Sequence, residues 1–193
     1  SMGIYMFSKQ VMMKLFSDNE KAVDFGKEII PDAIHGGLKV ASYAFDGYWT
    51  DIGTIGSFFE ANIALTDTIP EFNLFDNKRI VYTRPRQLAP TKVYGTFLYR
   101  ALIAEGCLLH AKKIDRSVIG IRSRIGEGSE INNAIIMGAD YYESISEIVD
   151  SKEGAAMGIG KECIIENAII DKNARIGNNV VIKGSPLLKD EET

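Results

Sequence analysis

The sequence has few of the features that mark secreted proteins, membrane proteins or proteins stabilised by a structural metal. Its 193 residues include only two cysteines, Cys107 and Cys163, which lie far apart and outside any C-x-x-C spacing, so neither a disulfide framework nor a zinc site is predicted. We expect both thiols to be buried and inert, as free cysteines usually are. No apolar run approaches the roughly 18 residues of a membrane helix, and no signal peptide opens the chain. These absences predict a soluble intracellular protein with no membrane partner.

Positive charge is also scarce. Lys and Arg total 22 against 26 Asp and Glu, a net charge of -4, whereas nucleic-acid-binding domains usually carry a basic stripe that neutralises phosphates. We therefore expect no nucleic-acid partner, and any anionic ligand must be held by a local basic cluster. Hydrophobic residues make up 46% of the chain, which is enough to bury a core in one large or two small domains.

Residues 1–72 contain both helix-like and strand-like apolar patterns, as an α/β domain does. A strand needs neighbours, and the apolar segment at 3–7 has nothing before it, which indicates that the chain begins inside a longer protein. The predicted elements are strands at 3–7 and 39–45, and helices at 8–16 with Ser8 as N-cap, from Asp24 to a stop or kink at Pro31, and at 55–65.

Residues 73–92 are rich in prolines and turn clusters and are interpreted as a linker. From residue 93 to 193, aliphatic residues recur every six positions, often followed by glycine. A period of six fits neither a helix nor a lone strand, but it suits a β-helix whose flat faces each carry one inward residue. Residues 141–157 break this period and should form a loop outside the coil. The recurring sets are Leu102, Leu108 and Ile114; Ile119, Ile125, Ile131 and Met137; and Ile164, Ile170, Ile176 and Ile182.

Five strings, in a fixed order along the chain, carry a resemblance to one enzyme family. They are SMGIY at 1–5, DFG at 24–26, YWTDIGT at 48–54, MGADYY at 137–142 and IIDKNARIG at 169–177. Together they resemble the ADP-glucose pyrophosphorylases, or glucose-1-phosphate adenylyltransferases, of the sugar-phosphate nucleotidylyltransferase superfamily. The resemblance implies the C-terminal piece of a Rossmann-like nucleotidyltransferase domain at 1–72, a linker at 73–92, and a left-handed parallel β-helix of hexapeptide repeats at 93–193 that is truncated after Lys189.

The family forms ADP-glucose and pyrophosphate from ATP and glucose 1-phosphate for glycogen and starch synthesis. Its members begin with a glycine-rich nucleotide loop that is not in this sequence, so the chain is expected to be inactive alone. Asp51 is the candidate catalytic residue and Mg²⁺ ligand, because it follows a predicted strand in a turn with Trp49 and Asp is a hard ligand suited to Mg²⁺. The alternative is that Asp51 only caps the helix that begins near Ile55.

By resemblance, the glucose 1-phosphate or ADP-glucose site is lined by Ser1, Tyr5, Asp24, Phe25 and Trp49. Asp24 would accept hydrogen bonds from sugar hydroxyls, while the aromatic rings would wall the sugar. The alternatives are that Tyr5 and Phe25 belong to the core and that Asp24 is only a helix N-cap.

The family is regulated by phosphorylated metabolites, and the resemblance places Arg84, Arg86 and Lys172 in the anion pocket for these effectors. A guanidinium and a lysine suit phosphate, although solvated surface charge is the alternative. The resemblance also implies a homo-oligomer, a tetramer when intact, in the bacterial cytoplasm or in a plastid if the source is a plant.

Two other hypotheses stay open. A hexapeptide acyltransferase shares the left-handed β-helix and commonly needs a histidine beside the coil, for which His110 is the candidate. In the other, the chain is a non-catalytic module for assembly and regulation.

Overall fold

The computed structural model describes residues 1–150 and 154–185. The chain forms two compact units, Ser1–Trp49 and Thr50–Thr193. None of the helices within the described ranges combines the length and the apolar character needed to cross a bilayer.

The first unit is built from short helices around a small core. Helix α1 spans Lys9–Asp18 and begins after Ser8, which confirms the predicted helix, although the Ser8 side chain makes no capping hydrogen bond. A π-helix at Phe25–Ile29 runs directly into α2 at Ile30–His35. The buried core side chains of this unit are Leu15, Ile29 and Ala33, with Phe7, Val11, Ala22, Phe25 and Leu38 packed around them.

Two predictions for this unit are wrong. Residues 3–7 and 39–45 are irregular rather than strands, because a strand forms only beside a partner and the described part of this unit holds no other strand. Pro31 does not stop the second helix either. It lies in the first turn of α2, directly after the π-helix, so the missing N–H of proline falls where the helix changes from π to α hydrogen bonding, and the helix continues.

The second unit is a parallel β-helix of about five coils. Ten strands within its described residues form two parallel sheets with the orders β1-β3-β5-β7-β9 and β10-β8-β6-β4-β2. Ile114 pairs with Ile131, 17 positions further along the chain, which sets the length of a regular coil. The strands are β1 Lys92–Val93, β2 Phe97–Ile103, β3 Leu108–Leu109, β4 Lys113–Ile119, β5 Arg124–Ile125, β6 Glu130–Ile136, β7 Gly158–Ile159, β8 Ile164–Ile170, β9 Arg175–Ile176 and β10 Val181–Lys183.

Each long strand from β2 to β8 is bent at its middle residue, which adopts a positive φ of 45 to 50°. These residues stack as one corner of the coil, hereafter the middle corner: Arg100, Arg116, Asn133 and Asn167. Across this corner successive inward side chains are five residues apart, as Ile114 and Ile119 show, rather than six. A coil of 17 residues therefore cannot keep a strict period of six.

The predicted register is correct in one stretch and shifted in others. Ile119, Ile125 and Ile131 are all buried in the coil, as predicted. Ile164 is 39% exposed, whereas the buried residue is its neighbour Ile165. The same one-residue shift puts Leu109 rather than Leu108 inside, because Leu109 and the inward Ile114 are also five positions apart.

The coil is interrupted between β6 and β7, as predicted from the break in the period at 141–157. Glu130 of β6 pairs with Ile164 of β8, 34 positions later, which is twice a regular coil. This inserted loop contains helix α4 at Ile145–Asp150. The predicted end of the coil after Lys189 lies outside the described residues.

Helix α3, Ile55–Ala64, packs on the outside of β4 and β6. The surface beneath it is a stripe of outward-facing aliphatic residues brought side by side by the strand register: Leu102, Val118, Ile135 and Ile169. Ile135 is only 3% exposed although it points away from the coil interior, because the helix covers it. The predicted helix at 55–65 is thus confirmed.

Both cysteines are buried and free, as predicted. Each thiol lies inside the coil and donates to a glycine carbonyl, Cys107 to Gly120 at 3.1 Å and Cys163 to Gly177 at 3.0 Å. Burial raises the pKa of the Cys107 thiol above its ordinary value, which lowers its thiolate fraction and its reactivity.

Candidate functional site

Four of the five predicted sugar-site residues lie together in the first unit. The ring of Tyr5 stacks on that of Phe25 with centroids 5.4 Å apart, and Ser1 Oγ donates to the Tyr5 hydroxyl at 2.8 Å. A Cβ added to Gly26 would lie 3.4 Å from that hydroxyl and 3.5 Å from Asp24 Oδ1. A hydroxyl and a carboxylate therefore flank a bare stretch of backbone, which is a polar arrangement suited to sugar hydroxyls.

Asp24 is also the N-cap of the π-helix, as the alternative interpretation expected. Its Oδ1 accepts the Lys27 backbone N–H at 2.8 Å. Within the described residues, no hydrogen bond reaches its second carboxylate oxygen. The capping role therefore fixes the carboxylate and leaves Oδ2 available, so the structural and ligand-binding roles are compatible.

Glu28 is a member of this cluster that sequence reasoning missed. One carboxylate oxygen, Oε2, accepts the backbone N–H groups of Val23 at 2.8 Å and Asp24 at 2.9 Å. Glu28 follows Asp24 by four positions, close to the three-residue spacing of a capping box. Such spacing was the available signal for a residue that holds the loop carrying Asp24.

Phe25 is mainly a structural residue. Besides Tyr5, the rings of Phe7 and Phe16 lie within 5.9 Å of it, centroid to centroid, and it packs on the core of the first unit. Trp49 differs, because its side chain is 47% exposed and no ring contact or hydrogen bond links it to a described residue. The structure therefore does not bring Trp49 into contact with the other four residues.

Asp51 opens the second unit in a tight turn. Its Oδ1 accepts the Gly53 N–H at 3.0 Å, while its Oδ2 has no hydrogen-bond partner among the described residues. The cap of α3 is Thr54, which forms a reciprocal capping box with Ser57 at 3.1 Å in both directions. The alternative in which Asp51 caps this helix is therefore wrong.

The free carboxylate oxygen of Asp51 suits a hard cation. The described residues contain no group of three or more His, Cys, Asp or Glu side chains that could hold a metal alone. Mg²⁺ in nucleotide-processing sites is typically bound by one or two carboxylates together with water and substrate phosphates. One exposed aspartate with one free oxygen fits that mode of binding.

The predicted anion residues are not brought together as a group. Arg84 and Arg86 lie exposed in an irregular segment, with no hydrogen bond or ion pair to any described residue. Lys172 forms an ion pair with Asp140 at 3.1 Å. The hydrogen bond from Asn173, with the one from Lys172, holds the pKa of the Asp140 carboxyl below its ordinary value.

Arg122 is a cation that lies, like Lys172, beside Asp140. It contributes to the lowered pKa of Asp140, and its guanidinium lies 5.7 Å from the centre of the Tyr142 ring. The Tyr142 hydroxyl donates to Gly106 O at 2.8 Å, and a Cβ on Gly106 would touch Leu88 at 3.4 Å. The segment that follows Arg86 therefore reaches the same region of the coil, although the sequence offered no signal for Arg122.

His110 does not have the surroundings of a catalytic histidine. Its ring stacks on Tyr94 with centroids 5.3 Å apart, and no hydrogen bond joins it to a carboxylate in the described chain.

Comparison with known proteins gives two matching family models in order along the chain. The model described as nucleotidyl transferase matches residues 1–68, and the model described as GLGC left-handed parallel beta-helix domain matches residues 86–193. The match at 1–68 has no counterpart in the acyltransferase hypothesis. The predicted combination of a nucleotidyltransferase portion with a left-handed parallel β-helix is confirmed.

A curated relative is the chloroplastic/amyloplastic small subunit of glucose-1-phosphate adenylyltransferase from Triticum aestivum. It is 47% identical over 186 residues, which cover 94% of this chain. The predicted resemblance is thereby confirmed. The chain spans about two fifths of the length of this relative, 39%.

Proposed function

The chain belongs to the family of the GLGC left-handed parallel β-helix domain, and from this we propose that it is the C-terminal part of a glucose-1-phosphate adenylyltransferase. The whole protein would join ATP and glucose 1-phosphate into ADP-glucose and release pyrophosphate. The observation that carries this proposal is the order of the two matched families, with a polar and aromatic cluster in the first and an exposed aspartate at 51.

In this proposal the first unit binds the sugar phosphate. Asp24 Oδ2 accepts hydrogen bonds from glucose hydroxyls, since its partner oxygen is already held by Lys27 N. The Tyr5 hydroxyl, oriented by Ser1, supplies a further polar contact, and Trp49 offers an exposed ring face for the sugar. Phe25 supports the ring of Tyr5 rather than meeting the ligand.

Asp51 is the proposed catalytic carboxylate of this chain, and it would hold Mg²⁺ through its free oxygen. When bound, Mg²⁺ supplies charge neutralisation for phosphates and aligns them. The hydrogen bond from Gly53 N to Oδ1 fixes the carboxylate, so the free oxygen is presented in one orientation. Reactions of this kind depend on positioning and on charge neutralisation more than on covalent groups from the protein.

The β-helix serves assembly and regulation in this proposal. Lys172 would hold the phosphorylated effector, and the exposed Arg84 and Arg86 would move to it when the effector binds. The pairing of Lys172 with Asp140 is a contact that an incoming phosphate would replace. We also propose that the whole protein is a homotetramer, located in a bacterial cytoplasm, or in a plastid if the source is a plant.

The test is the release of pyrophosphate and the formation of ADP-glucose from ATP, glucose 1-phosphate and Mg²⁺ by the whole protein. Asp51→Asn keeps the acceptor for Gly53 but removes the charge, and should lower kcat by about a hundred-fold or more, because metal-assisted charge stabilisation supplies several kcal/mol. Asp46→Asn, another exposed aspartate before the site, is the control and should leave kcat unchanged.

The same assay separates the competing proposal. The isolated 193-residue chain should form no ADP-glucose. A whole protein that also forms none, yet alters the activity of a second subunit on mixing, would instead support the non-catalytic assembly and regulatory module.

A further inference from the structure

The turn that carries Asp51 is joined directly to a helix that lies on the β-helix. Residues 50–68 fall within the nucleotidyl transferase match, yet they belong to the same compact unit as the coil. Asp51 is bound to Gly53 N, and Thr54 closes the capping box that starts α3. Two residues, Ile52 and Gly53, therefore separate Asp51 from the N-cap of the helix.

Helix α3 packs on the outside of the coil, and its buried apolar contact lies in its C-terminal half. It covers strands β4 and β6, and Ile63 near its C-terminal end is 2% exposed. The helix is followed at once by the buried Thr66, whose hydroxyl donates to Ile63 O at 2.7 Å. The helix end and the residues after it thus form a compact cap over the outward aliphatic stripe of the coil.

The C-terminal end of this helix is also held by an ion pair. Arg100, at the middle corner of the first coil, donates through Nη2 to Asp67 Oδ1. Its backbone has a φ of 47°, which non-glycine residues seldom adopt. The Arg100 Nε is buried and has no hydrogen-bond partner among the described residues. The positive φ and the unpaired buried nitrogen of Arg100 both cost stability. The ion pair with Asp67 offsets part of that cost.

We propose that Arg100 is a positioning residue for Asp51. Its ion pair with Asp67 holds the end of α3 on the first coil of the β-helix, and α3 begins just after Asp51. The inference rests on the proposed catalytic role of Asp51 and adds to it the route by which the coil sets the position of the carboxylate. A displacement of the coil would move α3, and with it Asp51, as one body.

The chain offers a matched control. Arg116 occupies the same corner in the next coil with a φ of 45°, but its Nη1 donates to Asn133 Oδ1 at 3.2 Å rather than to the segment after α3. Arg100→Ala and Arg116→Ala therefore remove the same side chain from equivalent corners, and only the first removes the contact with Asp67.

Amide hydrogen exchange on the chain itself tests the anchoring. Arg100→Ala should speed exchange of the α3 amides at 59–64 by about three- to ten-fold, the factor expected for losing one partly exposed charged hydrogen bond. Amides of the central strands β4 and β6 should keep their protection. Arg116→Ala should leave α3 unchanged. Equal α3 exchange in the two variants would overturn the proposal.

Kinetics of the whole protein test the positioning. Arg100→Ala and Asp67→Ala should each raise the Mg²⁺ concentration for half-maximal rate and lower kcat by about ten-fold, because small misplacement of a reacting group costs rate steeply. Since the two residues act as a pair, the double variant should be no worse than either single one. A purely structural role would lower the yield of folded protein but not the Mg²⁺ requirement of what folds, and that result would refute the inference.

The two proposals fail in different ways. If the unmodified whole protein makes no ADP-glucose, the proposed function fails and the catalytic part of this inference fails with it. If it makes ADP-glucose but Arg100→Ala behaves like Arg116→Ala, the inference about Arg100 fails and the proposed function stands.

Discussion

Replacing Arg116 by asparagine should stabilise the β-helix. Arg116 lies at the middle corner with a φ of 45°, and the equivalent residues of the next two coils, Asn133 and Asn167, have φ values of 46° and 50°. The left-handed conformation costs L-residues with a Cβ roughly 1–2 kcal/mol, and asparagine is among the few that adopt it routinely. Arginine is therefore the less suitable residue at a corner where asparagine recurs.

The substitution should also extend an existing side-chain ladder. Asn133 Nδ2 donates to Asn167 Oδ1 at 2.6 Å, and Asn133 Oδ1 now accepts from Arg116 Nη1 at 3.2 Å. A shorter amide at the Arg116 position can donate to the same oxygen, so the exposed hydrogen bond is replaced rather than lost. The net gain is then about 0.5–1 kcal/mol from backbone relief, which raises Tm by about 1–4 °C for a unit of this size.

Thermal and urea unfolding, followed by circular dichroism at the β-sheet band, measure this gain. Arg124→Asn is the control, since Arg124 is also exposed but lies on β5 without a positive φ. It should change stability by less than about 0.5 kcal/mol. An Arg116→Asn variant that melts below the unmodified chain, or an equal gain from the control, would refute the reasoning about this corner.

Three further predictions concern the inserted loop and the anion residues. Lys172→Glu in the whole protein should weaken the response to a phosphorylated activator more than it lowers unactivated turnover, and coincident activation curves would show a merely solvated charge. The hydrogen bond from Asn173 lowers the pKa of Asp140. This carboxyl therefore stabilises the folded state fully when the pH is above its ordinary pKa, and the stabilisation is lost as the pH falls through the lowered pKa. Asp140→Asn should remove that part of the acid dependence of the urea midpoint, and an unchanged pH profile would contradict it. Glu143 is only 5% exposed and is the ion-pair partner of an arginine, so Glu143→Ala should cost about 1.5–3 kcal/mol and speed proteolysis of the inserted loop, and an unchanged unfolding midpoint would contradict this.

The β-helix could be predicted from the sequence because its signal is local and repeated. Every coil contributes an aliphatic residue at a similar spacing, so Ile119, Ile125 and Ile131 show both the period and the inward face. The predicted six-residue spacing of inward residues fails at the middle corner, where Ile165 rather than Ile164 points inward. Arginine occupies two positions of that corner, and an arginine in a sequence does not predict a positive φ.

The first unit could be predicted less well because strands depend on partners that pattern alone does not provide. The segments at 3–7 and 39–45 have apolar or alternating character but pair with nothing in the described chain. Helix α1 needs no such partner, and its 3.6-residue spacing predicted it correctly.

The candidate site shows the same division between local and distant contacts. The grouping of Asp24 with Tyr5 agrees with the family resemblance, and the cap at Thr54 could have been recognised from its spacing to Ser57. The contact between Arg100 and Asp67 joins residues 33 positions apart. No periodicity or motif in the sequence connects them, so only the folded coil reveals it.

The central claim is that this chain carries the sugar-phosphate half of an adenylyltransferase. The most direct measurement compares the KM for glucose 1-phosphate with the KM for ATP in the whole protein bearing Asp24→Asn. This change keeps the oxygen that accepts Lys27 N but removes the charge, and a hydrogen bond to a charged group is worth about 1.5–3 kcal/mol. We predict that the KM for glucose 1-phosphate rises about ten-fold or more while the KM for ATP stays within about two-fold, and that Asp18→Asn on exposed α1 changes neither. A variant in which both constants rise equally, or neither rises, would contradict the assignment of this chain to the sugar-phosphate side.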